Sequence, residues 1–163
     1  MKLEKELQLK QGFTHREHEA VLGVYYTAAL LKKRADEFFR DYGTTDVQFN
    51  VMMLLHYQAD ERGGLMQVDL SHMMLVNRAN ITSLIDRMEH SGIVKRNAVP
   101  EDRRYYLVQL TEKGEKLLQS VEPGYMALID DMMSGLDDQE QGHLIGMLER
   151  VREKLGRFEN EPA

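Results

Sequence analysis

Arg103 and Arg104 stand side by side after Glu101 and Asp102, between the β-rich segments Val94–Ala98 and Tyr105–Leu110. Two such segments joined by a turn containing Pro100 read as a hairpin. A solvated hairpin tip has no folding need for two adjacent arginines. An arginine placed in a narrow minor groove does gain, because the groove concentrates negative potential. Asp102 is close enough to pin an arginine in advance and so reduce the entropy lost on docking. Just upstream, Asn77–His90 has helical periodicity with Asn77 as its N-cap. At about 100° per residue, Ile81, Leu84, Ile85 and Met88 gather on one side, and Ala79, Ser83, Asp86 and His90 on the other. Asn80, Thr82 and Arg87 lie on the flanks, with Arg78 in the first turn. Small polar residues let a helix approach base edges closely. Asn reads adenine with two hydrogen bonds, Ser and Thr donate or accept, and Arg78 and Arg87 can reach bases or phosphates.

Any amphipathic surface helix has a polar outer face, so this helix alone decides nothing. The arrangement around it decides more. Gln67–Met74 reads as a short helix carrying Val68, Leu70, Met73 and Met74, and Leu75-Val76 as a turn. Helix, turn, helix and hairpin in that order can enter a major groove and the groove beside it. Upstream, Val21, Val24, Tyr25, Ala28, Leu31, Ala35 and Phe38 mark a helix from Thr14 to Arg40, with Thr14 and Glu17 spaced as a capping box. Tyr42-Gly43-Thr44-Thr45 breaks it. A second helix follows, capped by Thr45 or Asp46, burying Val47, Val51, Leu54 and Leu55, and ended by Arg62-Gly63-Gly64. Thr111 caps a helix that Pro123-Gly124 should kink or interrupt, and Asp137 caps a last helix with a stripe of Leu144, Leu148, Val151 and Leu155. The fold class expected is mainly α with a small β-hairpin wing, a winged helix–turn–helix.

Composition is consistent with one soluble domain over residues 1–163, with 42% hydrophobic and 29% charged residues. No apolar run reaches the length of a membrane span, and residues 1–10 carry charges every few positions, so neither a membrane anchor nor a signal peptide is expected and the location expected is cytoplasmic. The absence of cysteine excludes disulfides, thiolate metal sites and thiol redox sensing. The net charge of −6 is unevenly spread. Residues 67–111 hold six basic side chains (Arg78, Arg87, Lys95, Arg96, Arg103, Arg104) against five acidic ones (Asp69, Asp86, Glu89, Glu101, Asp102), a net of +1 that leaves −7 for the remainder. Contact with phosphates depends on local charge.

The residues Asn77-Arg-Ala-Asn-Ile-Thr-Ser-Leu-Ile-Asp-Arg-Met-Glu89, Gly92-Ile-Val-Lys-Arg96, Asp102-Arg-Arg104 and Leu110-Thr-Glu-Lys-Gly114, with Thr45–Leu55 upstream, resemble the multiple antibiotic resistance regulator (MarR) family over about residues 14–158. The resemblance implies a homodimer interlocked through helices at 11–42 and 115–158. It implies a DNA-binding lobe at 46–111 and a palindromic double-stranded operator, bound as a repressor. It also implies release by a small ligand, often phenolic or anionic. Carried over, Arg104 is the minor-groove residue, Arg103 a phosphate contact, Asp102 the support of the wing, and Asn77–Ser83 the reading edge; Arg96 is placed with the DNA contacts. The sequence departs from the family at Ser83, where many members have arginine, and at Asn80, where many have threonine, so its base preference should differ. The apolar stripes of the first and last helices exceed what a small winged lobe can cover, which supports an interface independently.

Other chemistry has less support. His15 and His18, with Glu17 or Glu19, have the spacing of a weak metal site, but a solvated helix end explains them as well, and no bound metal or cofactor is expected. Glu140-Gln-Gly-His143 is a single Glu-x-x-His, where a di-iron bundle needs two, so a metal-dependent helical enzyme is disfavoured. No nucleophile or phosphate-loop motif is present, and the chain is not expected to be an enzyme. The methionine pairs Met52-Met53, Met73-Met74 and Met132-Met133 suit flexible core packing or an adaptable pocket, with Tyr25, Tyr26, Met52 and His56 as its expected wall. The alternatives to a ligand-responsive regulator are a winged helix that binds protein instead of DNA and a metal-responsive regulator.

Overall fold

The computed structural model describes residues 2–74, 78–99 and 102–159. The elements run α1 (Leu3–Glu6), α2 (Arg16–Asp41), α3 (Asp46–Tyr57), β1 (Leu65–Met66), α4 (Gln67–Met73), α5 (Arg78–His90), β2 (Val94–Val99), β3 (Asp102–Leu110), α6 (Glu112–Met133) and α7 (Asp138–Glu159). The architecture is mainly helical with the β2–β3 hairpin that the sequence implied, and β1 joins it in a small antiparallel sheet in the order β1-β3-β2. The chain divides into two compact units, Met1–Glu122 and Pro123–Ala163.

The core of the first unit is built from apolar residues at helical spacing on α3 and α5 and at alternate positions of the sheet. Phe49, Val51, Met52 and Leu55 of α3, Leu70 of α4, and Ile81, Leu84, Ile85 and Met88 of α5 are buried together with Val94, Leu107, Val108, Leu118 and Val121. Each such side chain stabilises the fold by about 1.5–3 kcal/mol relative to exposure. The buried face of α3 is turned from the one expected, since Val47 is exposed and Phe49 and Met52 take the core. Phe49 stacks at 5.0 Å on Phe39, the buried end of α2, and that contact fixes its direction inward.

Three junctions position the hairpin. Gly92 adopts φ +71° and ends α5, a conformation that side chains disfavour. Thr111 Oγ1 lies 2.7 Å from the Gly92 carbonyl and accepts the Gly114 N–H at 3.1 Å, so the expected cap also staples α6 to the end of α5. Gly114 is buried where a β-carbon would collide with the Ile93 carbonyl oxygen. Thr-x-x-Gly therefore has a packing reason.

Some boundaries differ from expectation. α2 starts at Arg16 with His15 at the cap and no side-chain cap bond. Glu17 then falls at the second helical position, one short of a capping box with its cap residue. α3 stops at Tyr57 because Asp60–Gly64 forms its own turn, in which Asp60 Oδ1 accepts the Arg62 N–H at 2.8 Å and the Gly64 carbonyl accepts the Asp60 N–H. Thr45, not Asp46, caps α3, accepting the Gln48 N–H at 3.2 Å; Asp46 pairs with Lys32 instead. α6 is uninterrupted at Pro123. In the second unit, Asp137 caps α7 as expected and Glu140 returns a bond to the Asp137 N–H, completing a capping box. No helix among the described residues is long and apolar enough to cross a membrane.

Candidate nucleic-acid interface

The helix proposed to read bases has the inner and outer faces drawn from the wheel. Ile81, Leu84, Ile85 and Met88 are buried; Ala79, Asn80, Thr82, Ser83, Asp86, Arg87 and His90 are exposed. α4 packs against α5, and β2 follows directly from the Gly92 turn. Helix, helix and hairpin are thus one unit, in which a single core faces away from the polar edge. Asn77 and the side chains of Arg78, Asp102, Arg103 and Arg104 lie outside the described residues; the backbones of 102–104 belong to β3.

Pairing fixes the hairpin's register. Val94 faces Leu110 and Arg96 faces Val108, with an irregularity between Ala98 and Val99 next to the tip. Asn97 Nδ2 donates to Gln109 Oε1 at 2.6 Å, and Gln109 Nε2 donates to the Arg62 carbonyl at 2.8 Å. This polar ladder ties β2, β3 and the turn before β1 together. β1 was not legible in the sequence, because two residues carry no periodicity.

Arg96, expected among the DNA contacts, is engaged by acidic residues of the lobe itself. Its side chain is only 15% exposed and is held by Glu89 at 2.7 Å and Asp86 at 2.6 Å, both on α5. Glu89 and Asp86 join the site although no motif marks them. Their spacing of three, on the edge that carries Thr82, is the signal that was present. Thr82, Ser83, Arg87 and Asn80 are placed together on the exposed side of α5.

Of the expected pocket wall, Met52 is withdrawn from any open surface. It is fully buried in the core, and a side chain without accessible surface offers a ligand nothing to touch. Tyr25 is 69% exposed on α2; Tyr26 is half-buried. His56 Nδ1 lies 2.9 Å from Glu115 Oε2 on α6, and beside it Tyr57 donates to Glu122 at 2.5 Å. That bond to a carboxylate holds the Tyr57 phenol above its usual pKa. Methionines from two of the three pairs do meet elsewhere. Met53 of α3 and Met73-Met74 of α4 line a groove of about 360 Å³ with Asn50 and Leu54. At the start of α2, His18 packs edge-on against Phe13, and among the described residues no cluster of three or more His, Asp or Glu is placed to hold a metal.

A family model described as MarR family matches residues 44–106, from the loop before α3 into β3. The HTH-type transcriptional regulator MhqR of Bacillus subtilis (strain 168) is 33% identical over 120 residues, covering 74% of this chain and 80% of that protein. The HTH-type transcriptional repressor YetL of the same organism is 28% identical over 142 residues, covering 87% and 84%. The crystal structure of Sco3205, a MarR family transcriptional regulator from Streptomyces coelicolor in complex with DNA, matches with a TM-score of 0.78 at 23% identity over 90% of this chain and 92% of that one. At that identity the likeness speaks for the fold.

Proposed function

The chain belongs to the MarR family of transcriptional regulators, which are not enzymes, and we propose that it acts as a homodimeric repressor on a palindromic operator, released by a small ligand. The observation that carries the DNA reading is α5. Its apolar face is entirely consumed by the core, while Asn80, Thr82, Ser83 and Arg87 are presented outward beside a hairpin whose tip carries Arg103 and Arg104. Asn77 and Arg78 extend that reading edge into the first turn, with Arg103 on a phosphate, Arg104 in the minor groove and Asp102 supporting it. A two-fold dimer sets two such helices about one DNA turn apart, matching a palindrome. The exposed apolar residues Val21, Val24 and Tyr25 on α2 and Ile145, Val151 and Leu155 on α7 support the dimer. YetL is a repressor by name. The methionine-lined groove beside α4 supports an adaptable ligand site adjacent to the reading helix.

The test is selection of bound fragments from genomic DNA by the purified protein at two salt concentrations. Enrichment of one palindrome, weakening steeply with salt, is expected. No enrichment at either salt would favour the second reading, a winged helix serving a protein partner. The overall charge of −6 and the engagement of Arg96 by two carboxylates are the observations on its side.

A further inference from the structure

Arg96 is engaged at three points of one helix edge. Nη1 donates to Glu89 Oε2 at 2.7 Å, Nη2 lies 2.6 Å from Asp86 Oδ1 and 3.4 Å from the Thr82 carbonyl, and the Arg96 backbone N–H donates to Glu89 Oε1 at 2.8 Å. Positions 82, 86 and 89 form one edge of α5 over two turns. A single side chain on β2 therefore grips the helix along that edge. The planar fork of a guanidinium meets two carboxylates and a carbonyl at once, a geometry that an ammonium cannot reproduce. Asp86 and Glu89 are 59% and 39% exposed, on a helix that must approach phosphates. Left uncompensated, they would repel the duplex.

We infer that Arg96 is a positioning residue for DNA recognition: it locks the wing strand β2 to α5 and cancels the acidic edge of that helix, without itself touching the duplex. The inference rests on the DNA-binding reading above. It assigns Arg96 a role different from that of Arg104, whose expected contact is with the groove.

A double-mutant cycle in the full-length protein, on the selected operator, tests it. Arg96→Ala is expected to weaken binding about tenfold or more, because two carboxylates lose their partner. In an Asp86→Asn, Glu89→Gln background the same substitution should cost less than about threefold. The slope of log affinity against log salt should stay unchanged. An equal loss in both backgrounds, with the slope reduced by about 0.9 per protomer, would mark a phosphate contact and overturn the inference. Arg96→Lys, which keeps the charge but not the fork, should lose most of the affinity; wild-type affinity in that variant would also overturn it. If Arg96→Ala does not fold, Arg96→Lys replaces it in the cycle. Hydrogen exchange without DNA supplies an independent readout. Arg96→Lys should speed exchange in β2 and the last turns of α5 while sparing α3, and unchanged exchange in β2 would sink the lock whether or not the protein binds DNA. Failure of the wild-type chain to select any DNA sinks the DNA reading instead.

Discussion

The winged lobe and the terminal helices use the same kinds of residue to opposite ends. In α5, the four apolar residues at three- and four-residue steps are all buried within the chain's own lobe, where α5 packs against α4 and β2. In α2, the same periodicity runs for 26 residues, yet Phe39 is its only buried side chain among those described, and Val21, Val24, Tyr25, Leu30 and Leu31 stay exposed. In α7, described over Asp138–Glu159, Ile145, Met147, Val151 and Leu155 are likewise exposed. Periodicity establishes that a face exists; it does not say whose atoms cover it. The lobe answers that question within one chain. The terminal helices leave it open, and a second copy is the cover that the proposed dimer supplies.

Replacing Val151 and Leu155 together by Asp should have the largest effect. Each loses about 1.5–3 kcal/mol of burial, and two-fold symmetry counts each loss twice. Sedimentation should show a monomer, while the signature of the folded lobe persists. A dimer that survives both charges would break the contrast, because α7 would then be a solvated helix with an idle stripe. Arg104→Ala tests the other region. Operator affinity should fall by about 1–3 kcal/mol with the melting temperature unchanged. Unchanged operator binding would refute the wing assignment.

Gly114→Ala should act inside the lobe alone. The new β-carbon meets the Ile93 carbonyl oxygen and the Leu110 side chain, and backbone cannot step aside cheaply. Overpacking of this kind costs about 1–3 kcal/mol, read by denaturant unfolding with the oligomeric state unchanged. Wild-type stability would mean that the junction of α5, β2 and α6 is looser than its geometry.

Legibility in the sequence follows the same division. α5, the hairpin and the Thr111 cap are readable because each rests on local chemistry: a 3.6-residue period, two β-rich segments about a turn, an oxygen placed before three free N–H groups. The start of α2 was misjudged because a capping box depends on which residue is last to be extended, and that residue is His15. The end of α3 was misjudged because Asp60 builds a turn that competes with the glycines as the stop. For Met52 the sequence leaves core packing and a pocket wall both open, and it lies in the core, since a period marks the inner face without distinguishing packed from open. Arg96 is the clearest case. The sequence shows a basic residue in a basic motif, and its partners, seven and ten residues upstream on another element, come into view only when the fold brings them beside it.

Ser83→Ala should have the smallest effect, and it refines the contrast within the lobe itself. Ser83 is exposed on the outer face of α5, so its loss leaves the core untouched. One hydrogen bond to a base edge is worth about 0.5–1.5 kcal/mol net, while phosphate contacts carry much of the total affinity. Binding to the selected operator should therefore weaken by no more than roughly tenfold. The ranking of single-base variants should change at the one or two positions facing that turn of the helix. Measured across such a panel, a uniform loss for every sequence would place Ser83 on the DNA backbone, and the reading edge would shift to Asn80 and Thr82. A loss confined to particular base pairs would make Ser83, where many relatives carry arginine, a source of this regulator's own sequence preference.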